Sequence, residues 1–143
     1  MILFFDIVSR LPEFCLIEDN KILFSKRILD DPDAKMSDCL VPAYIELDKK
    51  FKLGNNLKHL VTITGPGSYT ALRIGIAFLS GLSISMKIPL IGIPCIDLFN
   101  YVINSDKKQS TAIYICSSND QKFICFYSQG IDKCIINKVE KSE

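Results

Sequence analysis

Gly65-Pro66-Gly67-Ser68-Tyr69-Thr70-Ala71-Leu72-Arg73-Ile74-Gly75 is the stretch on which the fold turns. The β-rich run His59 to Thr64 precedes it, and an apolar pattern continues beyond it to Met86. A strand therefore stops at a Gly-Pro-Gly turn whose backbone can take left-handed or extended angles. Ser68 caps the helix that follows, from about Tyr69 to Met86, and the helix aims its free N–H groups back at the strand end. That geometry is a general anion-receiving site. It is not a Walker A loop, because no G-x-x-x-x-G-K-[ST] is present, and the third glycine of a dinucleotide fingerprint is missing. Phosphate binding and a plain strand-to-helix turn both stay open at this level.

The helix itself is apolar nearly all round. Tyr69, Leu72, Ile76 and Leu79 form one face, Ile74, Phe78 and Leu82 another, and Ala77, Gly81 and Ser85 a row of small residues every four positions. Glycine inside a helix costs roughly 1 kcal/mol relative to alanine, so Gly75 and Gly81 predict close packing that offsets the loss. A helix apolar on two sides is buried on two sides. Its own sheet covers one, and the other needs either the helix over Ser37–Leu53 or a separate subunit.

Upstream, Ile2 to Val8 hardly alternates and reads as a strand buried on both faces. Glu13 to Glu18 and Lys21 to Leu29 form two more strands about an Asp19-Asn20 turn, and Asp30 to Lys35 is a loop. Ser37 is placed as the N-cap of a helix to about Leu53, closed by Gly54-Asn55, with Pro42 near the end of its first turn. Its stripe is Leu40, Tyr44, Leu47 and Phe51, widened by Val41 and Ile45. Downstream come a strand at Pro89–Ile93, a helix at Cys95–Ile103 and a polar linker at Asn104–Ser110. Short strands follow at Thr111–Cys116, Lys122–Ser128 and Lys133–Asn137, the first two joined by an Asn119-Asp120 turn. The order βββ-α-β-α-β-α implies an α/β mixed sheet with helices on its faces. It divides the chain into 1–104 and a reduced β subdomain at 105–143.

Composition narrows the function. The 143 residues carry 17 Lys+Arg against 16 Asp+Glu, a net charge of +1, which argues against gripping nucleic acid through a phosphate-neutralising surface. His59 is the single histidine, too few for a His-based metal site or a Ser/His/Asp triad. The six cysteines form no C-x-x-C pair, and several lie in apolar runs, as free, reduced thiols do. Met1 to Val8 lacks the cationic start and uncharged core of a secretory signal. Ile74 to Met86 is short of the roughly 20 residues of a membrane span. The expectation is a cytoplasmic protein without a membrane segment.

The segment Gly65 to Gly75, with Ile88-Pro89-Leu90-Ile91-Gly92-Ile93 downstream, resembles the TsaB (YeaZ) family of tRNA threonylcarbamoyladenosine biosynthesis proteins. That family's hallmark is G-P-G-S-F-T-G-L-R-I-G, then a long helix and an I-P-L-x-G strand. Tyr69 replaces its Phe and Ala71 its second-last Gly. Ile2-Leu3-Phe4-Phe5-Asp6 also matches, as does the helix with an internal proline at Leu40-Val41-Pro42, and the likeness extends from Met1 to about Tyr127. The resemblance implies an actin-like, RNase H-like (ASKHA) fold and a non-catalytic role. It implies pairing with the catalytic TsaD subunit through the two long helices, by Leu40, Tyr44, Leu47, Ala77, Phe78, Gly81 and Ser85, and recruitment of the TsaE ATPase. The complex places a threonylcarbamoyl group on adenosine 37 of tRNAs reading ANN codons. ATP and Mg²⁺ belong to the partner subunits, tRNA is met only through the complex, and the chain alone would form a homodimer. Ile7 and Val8 depart from the family's Thr and small hydroxyl residue after Asp6, and Ser37-Asp38 stand where it has a histidine.

The residues speak to the same choice. Nucleotide-hydrolysing members of the superfold bind phosphate with glycine-bearing hairpins near the N-terminus, yet no glycine precedes Gly54 here. Asp6 survives from that site, either as a metal-water contact or as a strand-end carboxylate bonded to nearby N–H groups. No metal site and no catalytic residue are assigned. The competing expectation is a small nucleotide-binding enzyme that uses Gly65–Ser68 for phosphate.

Overall fold

A computed structural model describes residues 1–29 and 34–104, with backbone alone at 100 and 102–104, and the backbone of three later strands. Its main sheet holds β1 (Ile2–Asp6), β2 (Glu13–Glu18), β3 (Lys21–Arg27), β4 (His59–Ile63) and β5 (Leu90–Ile93), in the order β3-β2-β1-β4-β5. The first three form an antiparallel meander, and β4 and β5 then add in parallel. Asp19 and Asn20 join β2 to β3 with φ of 48° and 60°. Two successive left-handed residues are what a two-residue hairpin loop demands, and Asp and Asn tolerate that region best among side-chain-bearing residues.

The helices are α1 (Met36–Phe51), a single turn α2 (Leu53–Asn56), α3 (Tyr69–Met86) and α4 (Cys95–Asn104). Strands β6 (Thr111–Cys116), β7 (Lys122–Tyr127) and β8 (Ile135–Val139) form a second, antiparallel sheet in that order. The architecture is α/β, as the order of segments implies. The third of these strands begins two residues later than the sequence pattern indicates, and the Asn119-Asp120 turn lies outside the described residues.

One face of the main sheet makes the core. Leu3, Phe5, Phe14, Leu16 and Leu60 lie under Leu40, Ala43 and Leu47 of α1 and Leu79 of α3, all buried in one cluster. Complete burial of one such side chain is worth about 1.5–3 kcal/mol, so this layer dominates the stability of the domain. Aromatic contacts tie it together, with Phe5 and Phe14 ring centres 4.5 Å apart and Phe78 6.4 Å from Phe14. Among the described residues Thr62 is the buried polar side chain, and its hydroxyl donates to the Phe5 carbonyl at 2.8 Å.

Three local expectations are corrected. The first strand ends at Asp6 and alternates, with Leu3 and Phe5 buried but Ile2 and Phe4 half-buried. Helices α1 and α3 seal only the Leu3–Phe5 face, and the Asp6 carboxylate draws the chain out of the ladder. Helix α1 starts at Met36 after Lys35, without a side-chain cap; the Ser37 hydroxyl donates to Asp38 at 2.9 Å instead. It ends at Lys52, which takes φ 52° and returns its N–H to the Asp48 carbonyl, ahead of the Gly54-Asn55 stop that the sequence suggests. Helix α3 matches its expected limits, Tyr69 to Met86. By length and composition α3 could cross a membrane. Here it lies on the sheet with Gly75 and Leu79 buried.

Candidate protein-docking face

The β4–α3 connection is built by its neighbours. Gly65 takes φ +108°, a region that L side chains rarely adopt, and its carbonyl accepts the Cys95 N–H at 3.0 Å, tying the start of α4 to the turn. Gly65–Pro66 is cis. Ser68 caps α3 as its position suggests, with its Oγ accepting from the Ala71 N–H at 3.4 Å. Below, the end of β1 fills the space. A Cβ on Gly67 would stand 3.2 Å from Val8 Cγ1, and one on Gly75 would overlap Ile7 Cγ2 and approach Phe5 Cε1 to 3.2 Å. Ile7 and Val8 are thus an apolar plug under the first turns of α3, and the sequence signal for it was their departure from the hydroxyl residues of the TsaB pattern.

Asp6 is spent locally. Its Oδ1 accepts the N–H groups of Val8 and Ser9 at 2.9 and 3.0 Å, which is the strand-end carboxylate of the two expectations. Among the described residues no three His, Cys, Asp or Glu side chains are placed to share a metal ion. His59 opens β4. The described cysteines Cys15, Cys39 and Cys95 are free; Cys116, Cys125 and Cys134 lie outside the residues whose side chains are described.

Burial, and secondarily the Asp6 charge, push the Cys95 thiol up from 9.0 to about 11. A pKa raised in the folded state means that folding disfavours the thiolate. The stability it contributes is complete below pH 9 and is lost as pH rises toward 11. Chemical denaturation at pH 8 and pH 11 should therefore show a loss that is smaller in Cys95→Ala by on the order of 2 kcal/mol. Cys15 is displaced in the same direction, by burial first and then by Glu13 and Asp6, and remains titratable in that variant.

The outward face lies across the seam between α1 and α3. Tyr44 marks the seam: its ring meets Phe78 edge-on at 5.4 Å and its hydroxyl reaches Met86 Sδ at 3.8 Å. Each step along a helix turns about 100°, so Val41 and Ile45 follow Leu40 and Tyr44 outward on α1. By the same rotation Ala77, Gly81 and Ser85 lie outward from Phe78 on α3. Val41 is 47% exposed, Ile45 45% and Ile84 79%. Ala77, Gly81 and Ser85 are exposed, and a Cβ added to Gly81 would meet no atom within 4 Å.

This redistributes the residues assigned to an interface. Leu40 and Leu47, at 2% and 1% exposure, are core residues. Phe78 is used inside, against Phe14 and Tyr44, and Tyr44 is half-buried. Val41 and Ile45, one position further round the helix, take their place on the surface. The anticipated close packing is found at Gly75 and not at Gly81, whose notch is open. The charged side of α1 is partly engaged: Glu46 pairs with Lys26 of β3, and the Lys50 ammonium sits 4.1 Å above the Phe24 ring.

Residues 34–131 match the family model described as TsaD: tRNA N6-adenosine threonylcarbamoyltransferase. The chain belongs to the TsaD family. Among solved structures, YeaZ from Pseudomonas aeruginosa superimposes with a TM-score of 0.67 at 16% identity, over 95% of this chain and 63% of that one. A second crystal structure, of an uncharacterized protein with similarity to peptidase YeaZ from Pseudomonas aeruginosa, gives 0.67 at 17% identity, over 95% and 62%. This TsaD-family chain thus spans about 63% of the length of YeaZ and shares its fold. No curated protein matches the sequence. In the TsaD-family chain the motif residues Gly65, Pro66, Gly67, Ser68, Tyr69, Thr70, Leu72, Arg73 and Gly75 all fall in the β4–α3 turn and the first two turns of α3.

Proposed function

We propose that this TsaD-family chain is a non-catalytic, TsaB-type scaffold subunit of the bacterial machinery that makes threonylcarbamoyladenosine at tRNA position 37. It binds and activates the catalytic TsaD subunit through the α1–α3 face and helps to recruit TsaE. The observation that carries this proposal is the open notch at Gly81 of α3, on a helix that also exposes Ala77 and Ile84, beside an α1 that exposes Val41 and Ile45. A small-residue row flanked by exposed aliphatic side chains suits close approach of a second helix pair. Soluble monomers rarely leave such a patch uncovered. The same face would pair two copies when the partner is lacking. The complex works in the cytoplasm and meets tRNA through its other subunits.

Its non-catalytic character rests on the apolar end of β1. Ile7 and Val8 fill the space beneath Gly67 and Gly75, and Asp6 is satisfied by its own turn. A nucleotide phosphate at the Gly65–Ser68 turn would compete with the Ser68 cap, whose hydroxyl already accepts from Ala71. Calorimetric titration of the isolated chain with ATP and Mg²⁺ is expected to give no heat of binding up to millimolar nucleotide. Micromolar binding or turnover by the isolated chain would instead make it a nucleotide enzyme.

A further inference from the structure

We propose that Arg73 is the charge that selects the partner on this face, by pairing with a carboxylate on the helix that docks there. The assignment rests on the docking proposal above and adds the chemistry of the occupant. Arg73 is exposed and is the single charged residue in the 18 residues of α3. Among the described residues the ion pairs are Met1 with Glu18 and Lys26 with Glu46, so no described carboxylate neutralises Arg73. Its one contact among those described is with a ring and not with a carboxylate. Its guanidinium is instead held 5.3 Å from the ring centre of Tyr69, itself 68% exposed.

A tyrosine stacked on an arginine, on a helix beside exposed Ile76 and Ala77, has the make-up of an interface anchor, a pre-ordered donor fork next to apolar side chains. Charge complementarity then specifies the occupant as an apolar protein helix bearing an Asp or Glu opposite Arg73. RNA fits less well. A phosphate backbone is gripped by several cations together, whereas the helix neighbours of this one, three and four residues on, are the exposed, apolar Ile76 and Ala77.

The test compares wild type, Arg73→Ala, Arg73→Lys and Arg73→Glu for binding to the cognate catalytic TsaD subunit by calorimetry, with tRNA binding to each isolated chain measured alongside. Truncating one member of a desolvated charge pair costs enough to weaken association about 30-fold or more. Arg73→Ala should show that loss, Arg73→Glu a larger one, and Arg73→Lys an intermediate one, because an ammonium lacks the bidentate fork. Replacing one partner carboxylate by lysine should restore binding to Arg73→Glu. Melting temperatures should stay within a few degrees of wild type, as for other exposed substitutions. Equal affinity in all four chains overturns the assignment. So does unchanged partner binding with a tenfold loss of tRNA binding, which would give Arg73 to RNA. If wild type itself fails to bind, the scaffold proposal falls and this one with it.

Discussion

Gly81→Leu should leave the isolated chain folded and slightly more stable, yet abolish its association with the catalytic TsaD subunit. A Cβ at Gly81 meets nothing within 4 Å, so a leucine side chain enters solvent and displaces no core atom. Replacing glycine by a good helix former gains up to about 1 kcal/mol, enough to raise the melting temperature by a few degrees. At the interface the same side chain occupies the notch that lets a second helix approach. Overfilling a close-packed contact of hot-spot character should weaken binding by at least about 30-fold. Ala77→Glu, one turn earlier and also exposed, should act alike by placing an unpaired charge in the contact. Size-exclusion co-elution and thermal melting measure both arms. If both variants still co-elute with the partner, the helix-pair assignment is wrong.

Gly75→Ala makes the opposite case on the same helix. Its Cβ would overlap Ile7 Cγ2 and approach Ile7 Cδ1 to 3.1 Å, and Ile7 is 1% exposed, held by the core. Overpacking of this kind costs about 1–3 kcal/mol, which offsets or exceeds the roughly 1 kcal/mol gained in helix propensity. Net destabilisation of up to about 2 kcal/mol is the expected result, read from the midpoint of urea denaturation. Gly75→Leu should go further and prevent folding. The contact can be checked against Ile7→Ala, which removes the obstructing methyl. The double variant should be less destabilised than the sum of the two single variants by about 1 kcal/mol or more. Strict additivity would mean that Gly75 is required for some reason other than this contact.

Those two glycines show what could and could not be seen in the sequence. Both stand inside α3 at an apparent cost, and both suggested close packing, but only the three-dimensional placement of β1 tells that Gly75 is filled from within and Gly81 is open. The element order was legible because the signals are local: the Asp19-Asn20 turn, the Gly-Pro-Gly stop after β4, and the long, largely apolar run of α3. The end of α1 was not, since Lys52 adopts a left-handed conformation that its residue type does not announce. The docking face was half legible. Periodicity locates an apolar stripe on α1 but does not divide it into the part that faces the sheet and the part that faces out. The rotation of about 100° from Leu40 to Val41 separates core from surface, and it depends on where the sheet lies. Ile7 and Val8 were visible as departures from the TsaB pattern, while their role as a plug required their contacts with Gly67 and Gly75.

The most direct test of the scaffold role is reconstitution of adenosine 37 modification with cognate TsaD and TsaE, tRNA and the threonylcarbamoyl donor. The assay is run with this chain present, absent, or replaced by Gly81→Leu. Modification should require the wild-type chain and should be lost both when it is omitted and when Gly81→Leu takes its place. Undiminished modification without the chain, or transfer catalysed by the chain alone, would contradict a docking subunit that works through the α1–α3 face.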